Sequence, residues 1–185
     1  MPDRKPIIAV IGSGSDAHSR FSEPLGRWLA QQGCDLINGG GGGVMASVSR
    51  AFAEVKDREG KVIGILPSSG PCDSPGNRVA YTPPAGYPND WIDLPVYTHL
   101  HRSGASGKEL ASRNHIIVLT ADVIVALPGG EGTRSEIQLA MEYGKPLLIL
   151  NANQVWEEFR NSGAVTVETM EDLLSHLETL LAPRG

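Results

Sequence analysis

PIIAVIGSGSD, residues 6–16, is the stretch from which the fold can be read. Pro6 to Ile11 is a short, unbroken run of apolar and β-branched residues, the pattern of a strand buried on both faces of a parallel sheet. Gly12-Ser13-Gly14 then turns the chain, and Ser15 or Asp16 stands where a side chain can cap a following helix. That helix carries Phe21, Leu25, Trp28 and Leu29 at helical spacing and stops near Gly33. A buried strand, a glycine turn and an amphipathic helix are the first steps of a β-α-β unit.

The alternation continues outward from this stretch. Cys34 to Asn38 reads as a strand, Val44 to Val55 as a helix and Lys61 to Leu66 as a strand, which completes half of a doubly wound sheet. From Pro67 to about Asp90 the chain is rich in Pro, Gly, Ser and Asn and has no period, so a functional or mobile loop is expected. Trp91 to Thr98 reads as a short strand interrupted by Pro95. Gly107 to Thr120 reads as a helix with Leu110, Asn114, Ile117 and Val118 inward. Asp122 to Leu127 is a buried strand, Thr133 to Tyr143 a helix closed by Gly144, and Pro146 to Leu150 another strand. A helical turn over Val155 to Phe159 and a short strand over Ala164 to Val167 follow. Thr169 caps a last helix with a stripe of Leu173, Leu174, Leu177, Leu180 and Leu181. The expected fold is α/β, a Rossmann-like doubly wound, mostly parallel sheet with helices on both faces. It forms one domain over residues 1–185, without an internal repeat.

Composition narrows the classes of partner. Hydrophobic residues are 41% and charged residues 20% of the 185, the balance of a globular chain. A net charge of -5 and no Lys/Arg run longer than two argue against nucleic acid. Cys34 and Cys72 lack CxxC spacing, so neither a zinc site nor a disulfide framework is expected. His99 and His101 share a candidate strand but have no third ligand nearby, so no metal site is expected. No apolar run approaches the roughly 18 residues that span a bilayer. Met1 to Lys5 leads straight into the first strand without a signal-peptide layout, and a cytoplasmic location with no membrane partner is expected.

Three glycine-rich turns each follow a strand and precede a helix. They are expected at the carboxyl edge of the sheet, where main-chain N–H groups converge on an oxyanion. The first offers Gly12, Ser13 and Gly14. The second offers Gly39, Gly40, Gly41 and Gly43, with Met45 just beyond. The third offers Pro128, Gly129, Gly130, Glu131, Gly132 and Thr133. Phosphate or carboxylate is the expected guest. GSGSDA lacks the third glycine of GxGxxG, and Asn38 stands where an NAD site places an acidic residue, so a dinucleotide is disfavoured. A Walker-type loop is also missing from the sequence. Tyr81, Tyr87, Trp91 and Tyr97 lie in or beside the long loop, either as a lid over a flat base or pterin or as packing onto the sheet. His18 and Arg20, just after the first turn, are either ligand contacts or an exposed helix start.

The segment PGGEGTRSE, Pro128 to Glu136, resembles the PGGxGTxxE motif of the LOG (Lonely Guy) family of Rossmann-like nucleotide-binding proteins. Gly39-Gly40-x-x-Gly43-Val44-Met45 resembles that family's GGxxGLM turn, Gly12-Ser13-Gly14 sits at its first turn, and Arg113 precedes Asp122 by its usual distance. The resemblance spans roughly residues 6–150. It departs from the family at Asn114, where the MHxRK segment has lysine, at Ser135, where GTxEE has glutamate, and in an elaborated stretch from Pro67 to Ser106. These departures are closer to the LOG-like, molybdenum-cofactor-carrier-like branch than to the cytokinin-activating hydrolases.

The resemblance implies hydrolysis of the N-glycosidic bond of nucleoside 5′-monophosphates, with Arg113 and Glu136 catalytic and no cofactor required. The alternative it implies, ranked second, is a non-enzymatic carrier of the molybdenum cofactor, a phosphorylated pterin. A nucleotide sensor is a third reading. It also implies a homodimer or larger homo-oligomer, for which the helix bearing Ile137, Leu139, Ala140 and Met141 offers apolar faces. The chemistry of the pair stands by itself. Three residues after Thr133, Glu136 would lie in a first helical turn, where the dipole favours the carboxylate. An ionised carboxylate stabilises positive charge building on a sugar or activates water, and arginine orients it or holds phosphate.

Overall fold

The computed structural model describes residues 4–182; Met1 to Asp3, at the head of the chain read above for a signal peptide, lie outside them. Seven parallel strands form one sheet: β1 (Ile7–Ile11), β2 (Asp35–Asn38), β3 (Val62–Leu66), β4 (Leu94–Tyr97), β5 (Val123–Ala126), β6 (Leu147–Leu150) and β7 (Val165–Val167). Their order is β4-β3-β2-β1-β5-β6-β7. The chain runs outward from β1 to β4, returns to β5 beside β1, and runs outward again. The reversal point of this Rossmann-like order therefore lies between β1 and β5, where an open α/β sheet has its ligand crevice.

Strand alternation builds two cores. Ile8, Val10, Leu36, Val123, Val125, Leu148 and Leu150 face one side, against α1 (Ser19–Gln31), α2 (Val44–Ala53) and α6 (Met170–Leu181). Ala9, Ile11, Ile37, Ile124, Ala126, Leu147 and Ile149 face the other, against α4 (Asn114–Thr120), α5 (Glu131–Glu142) and the aromatic pair Trp156 and Phe159. Burial on both faces explains why these strands read as continuous apolar runs. In α1, Phe21, Leu25 and Leu29 are buried on one stripe, and in α6 Leu173 and Leu177 are. Leu180 of the expected stripe is 39% exposed. Thr169 caps α6 as expected, its hydroxyl accepting from the Asp172 N–H at 3.1 Å. Among the described residues no helix is long and apolar enough to cross a membrane.

Several local expectations are corrected. The helix expected from Gly107 begins only at Asn114, so Leu110 stands 93% exposed rather than inward. The helix expected from Thr133 begins at Glu131, two residues earlier. Residues 67–90 contain one ordered turn of helix, α3 (Pro75–Val79), capped by Ser74. β4 ends at Tyr97, so His99 and His101 do not share a strand face; His99 lies against the Tyr81 ring at 4.9 Å. Neither Ser15 nor Asp16 caps α1. Its N-cap is His18, in the left-handed region at φ 41°, and the Asp16 carboxylate accepts the His18 N–H instead.

Candidate functional site

The three glycine turns meet. The Ser13 N–H donates to the Pro128 carbonyl at 3.0 Å, and the Ser13 carbonyl accepts from the Val44 N–H at 2.8 Å. One residue of the first turn is thus pinned between the third turn and the start of α2. The Ser13 hydroxyl in addition accepts the N–H groups of Ser15 and Asp16, at 3.2 and 2.9 Å. Packing here excludes side chains. A Cβ on Gly43, itself at φ 58°, would overlap the Ser13 carbonyl, and one on Gly129 would overlap the Thr133 hydroxyl.

A cleft of about 330 Å³ opens at this junction, within the lower range of small-molecule sites. Gly12, Ser13, Gly14 and Ser15 form one wall, with Met45 beside them. Gly130, Gly132 and Thr133 form a second, where α5 begins. The first bond of α5 runs from Arg134 to Gly130, which leaves the N–H groups of Glu131, Gly132 and Thr133 without helical acceptors. Together with the helix dipole this end favours an anion. Arg113, Asn114 and Glu136 reach the same cleft, and Tyr87, Ser103 and Gly104 close it from the long segment.

The remaining expected contacts surround the cleft without lining it. Gly39 leaves room for the Arg113 guanidinium, Gly40 (φ 73°) for Leu66 and Gly41 for the Tyr87 ring. Gly39, Gly40 and Gly41 therefore make room for side chains of other segments, and Gly42 and Gly43 for the backbone of the first turn. Pro128 supplies its carbonyl to Ser13. Glu131 is exposed and pairs with Arg134 at 3.0 Å. Arg20 lies over the Phe21 ring at 4.3 Å, and neither it nor His18 lines the cleft.

Arg113 and Glu136 are the two charged residues of the lining. Arg113 is buried, and its Nε and Nη1 find no hydrogen-bond partner among the described residues. The guanidinium lies 5.3 Å from the centre of the Tyr87 ring. Glu136 is the sixth residue of α5, in its second turn, because the helix starts early. Enclosure by protein pushes its carboxyl up to about 7, and the positive charge of Arg113 offsets only part of that rise. The expected dipole effect is outweighed by desolvation. No ion pair joins the two among the described residues.

The departures from the family motif have structural counterparts. Asn114 is buried at the cleft and its carboxamide makes no hydrogen bond among the described residues. The Ser135 hydroxyl is within 2.9 Å of the Gly104 and Glu131 carbonyls, so it ties the elaborated segment to α5. Ser15, Ser103, Gly104 and Asn114 as lining residues were not foreseen; only Asn114, which follows Arg113 where the family's MHxRK segment has lysine, left a signal in the sequence.

A parallel, doubly wound sheet with interlocked glycine turns over its reversal point defines a Rossmann-like protein of the LOG type. Residues 5–174 match the SLOG cluster4 family, and the chain belongs to it. It is 31% identical over 164 residues to the cytokinin riboside 5′-monophosphate phosphoribohydrolase LOG of Oryza sativa subsp. japonica, covering 83% of this chain and 57% of that protein. Its fold is similar to that of the molybdenum cofactor carrier protein of Chlamydomonas reinhardtii, with TM-score 0.72 and 27% identity over 97% of this chain and 100% of that one. The molybdenum cofactor binding protein of Rippkaea orientalis is similar too, with TM-score 0.71 and 28% identity over 97% and 99% of the two chains.

Proposed function

We propose that the cleft binds a nucleoside 5′-monophosphate and that the protein hydrolyses its N-glycosidic bond. The phosphate sits at the start of α5, on the Gly132 and Thr133 amides, with the unpartnered N–H groups of Arg113 completing its shell. Water adds to the anomeric carbon, the carbon–nitrogen bond breaks, and the base leaves with a proton. A carboxyl poised near 7 is suited to this task, since at neutral pH it is present both as an acid and as a base. Ionised, it stabilises the oxocarbenium-like charge on the sugar. The observation that carries the reading is the placement of Arg113 and Glu136 in one cleft without ion-pair partners among the described residues.

The test is incubation of the purified protein with AMP and other monophosphates, followed by chromatography for free base and ribose 5-phosphate. Release that Glu136→Ala abolishes is the expected outcome. A second reading, carriage of the molybdenum cofactor, is favoured by the full-length likeness to two proteins named for that ligand and by the neutral Asn114 at the cleft. Tight binding of a phosphorylated pterin without any base release would select it. We further propose a small phosphorylated partner for either reading and, by analogy with the family, a homodimer or larger homo-oligomer in the cytoplasm. For a subunit contact on α5, Ile137, Leu139 and Ala140 are already buried in the core, and Met141 is the apolar residue left exposed.

A further inference from the structure

Tyr87 and the glycine run form a unit with Arg113, and the reading above leaves these two neighbours of the arginine without a role. A buried guanidinium ordinarily has a carboxylate partner, because desolvating an unpaired charge is costly. Arg113 has none among the described residues, yet it is held. Its guanidinium carbon lies over the Tyr87 ring at 5.3 Å. On its other contacts, the absence of a side chain at Gly39 gives it space, and the absence of one at Gly41 gives the Tyr87 ring space. Two residues further on, Asn89 fastens this segment to the run. Its N–H donates to the Gly40 carbonyl at 2.8 Å and its carboxamide to the Gly41 carbonyl at 2.9 Å.

We infer that Tyr87 is the positioning residue of Arg113: its ring fixes the guanidinium against Gly39 and leaves the N–H donors free for a phosphate oxyanion. The inference deepens the phosphate-binding reading and rests on it. A carboxylate in the same place would neutralise the charge and accept the N–H groups that a phosphate requires. An aromatic face attracts the cation through its quadrupole and leaves the edge of the guanidinium open. The Tyr87 hydroxyl has no hydrogen-bond partner among the described residues, so the ring is the part that acts. The elaborated stretch from Pro67 to Ser106 thereby gains a purpose: it carries an aromatic platform to the arginine of the cleft.

The test uses two readouts on the full chain. In calorimetric titration with AMP, Tyr87→Leu weakens binding about tenfold and Tyr87→Phe keeps it within about twofold of the parent, as expected for a cation–π contact. In an Arg113→Gln background, Tyr87→Leu produces no further loss. Equal losses in both backgrounds, or a phenylalanine variant as weak as the leucine one, would overturn the assignment. The second readout needs no ligand. With 15N-arginine labelling, the Arg113 Nε–H resonance of the parent and of Tyr87→Phe is shifted by the ring and exchanges slowly with solvent, whereas in Tyr87→Leu it moves to the position of an unstructured arginine. If that resonance is the same in all three proteins, Tyr87 does not position Arg113. If it shifts as expected while AMP fails to bind the parent, the positioning stands and the phosphate reading falls.

Discussion

At the amino-terminal edge of the sheet, charge is paired. Asp35, Asp93 and Asp122 each accept a main-chain N–H from a neighbouring strand or its approach, those of Lys61, Val62 and Ile7, at 2.7–2.8 Å. Asp93 also pairs with Arg58 at 2.8 Å, and Asp122 with Arg4. At the carboxyl edge, Arg113 is buried, and among the described residues neither it nor Glu136 has such a partner. The carboxyl groups respond oppositely. Burial alone would raise Asp93, but the Arg58 hydrogen bond, the Val62 N–H and nearby positive charge outweigh it and hold the group below its ordinary value. Asp122 behaves alike, with Arg4 and the Ile7 N–H overcoming burial. At Glu136 burial prevails over Arg113. One edge uses charge to fasten strands; the other leaves it unpaired among the described residues, which on the proposed function keeps it ready for a ligand at a cost in stability.

The sharpest way to break this contrast is at Arg113. Arg113→Met should weaken AMP binding on the order of a hundredfold, because a buried charge-assisted contact is lost, while the melting temperature does not fall. A lower melting temperature would mean that the arginine is structural.

Glu136→Gln comes next. The folded carboxyl titrates at about 7, against 4.5 for the unfolded chain. Its contribution to stability is therefore fully present below pH 4.5 and is lost as pH rises through 7. Urea denaturation should find the glutamine variant more stable than the parent by up to about 3 kcal/mol at pH 8 and equal to it at pH 4.

At the opposite edge the sign reverses. Asp93→Asn should cost roughly 1 kcal/mol at pH 7 in the same assay. The difference should vanish on acidification, because a lowered carboxyl loses its contribution as pH falls through the folded value. The smallest effect is expected at Glu131, whose surface pair with Arg134 should be worth less than about 0.5 kcal/mol. Glu131→Gln should leave AMP titrations unchanged.

What the sequence disclosed followed from burial. Strands such as PIIAVI and DVIVAL are enclosed on both faces, so their apolar runs and the parallel sheet were legible, and so was the meeting of the turns that follow them; the order of the strands was not. Features that depend on nonlocal packing were not. The start of α5 at Glu131 could not be read because nothing local announces a helix that begins Glu-Gly, and those two residues put Glu136 in the second turn rather than in a dipole-stabilised first one. The cap of α1 was misplaced because Asp16 bonds the His18 N–H and His18 enters the left-handed region. Nor could local sequence show that Arg113 and Tyr87, 72 and 46 residues beyond Gly41, fill the space beside Gly39 and Gly41.

A crystal structure grown in millimolar AMP tests the central claim most directly. The account predicts the phosphate at the start of α5, within hydrogen-bond distance of the Gly132 and Thr133 amides and of Arg113, with Glu136 facing the sugar. A nucleotide bound elsewhere on the sheet, or a cleft still empty under those conditions, would contradict it.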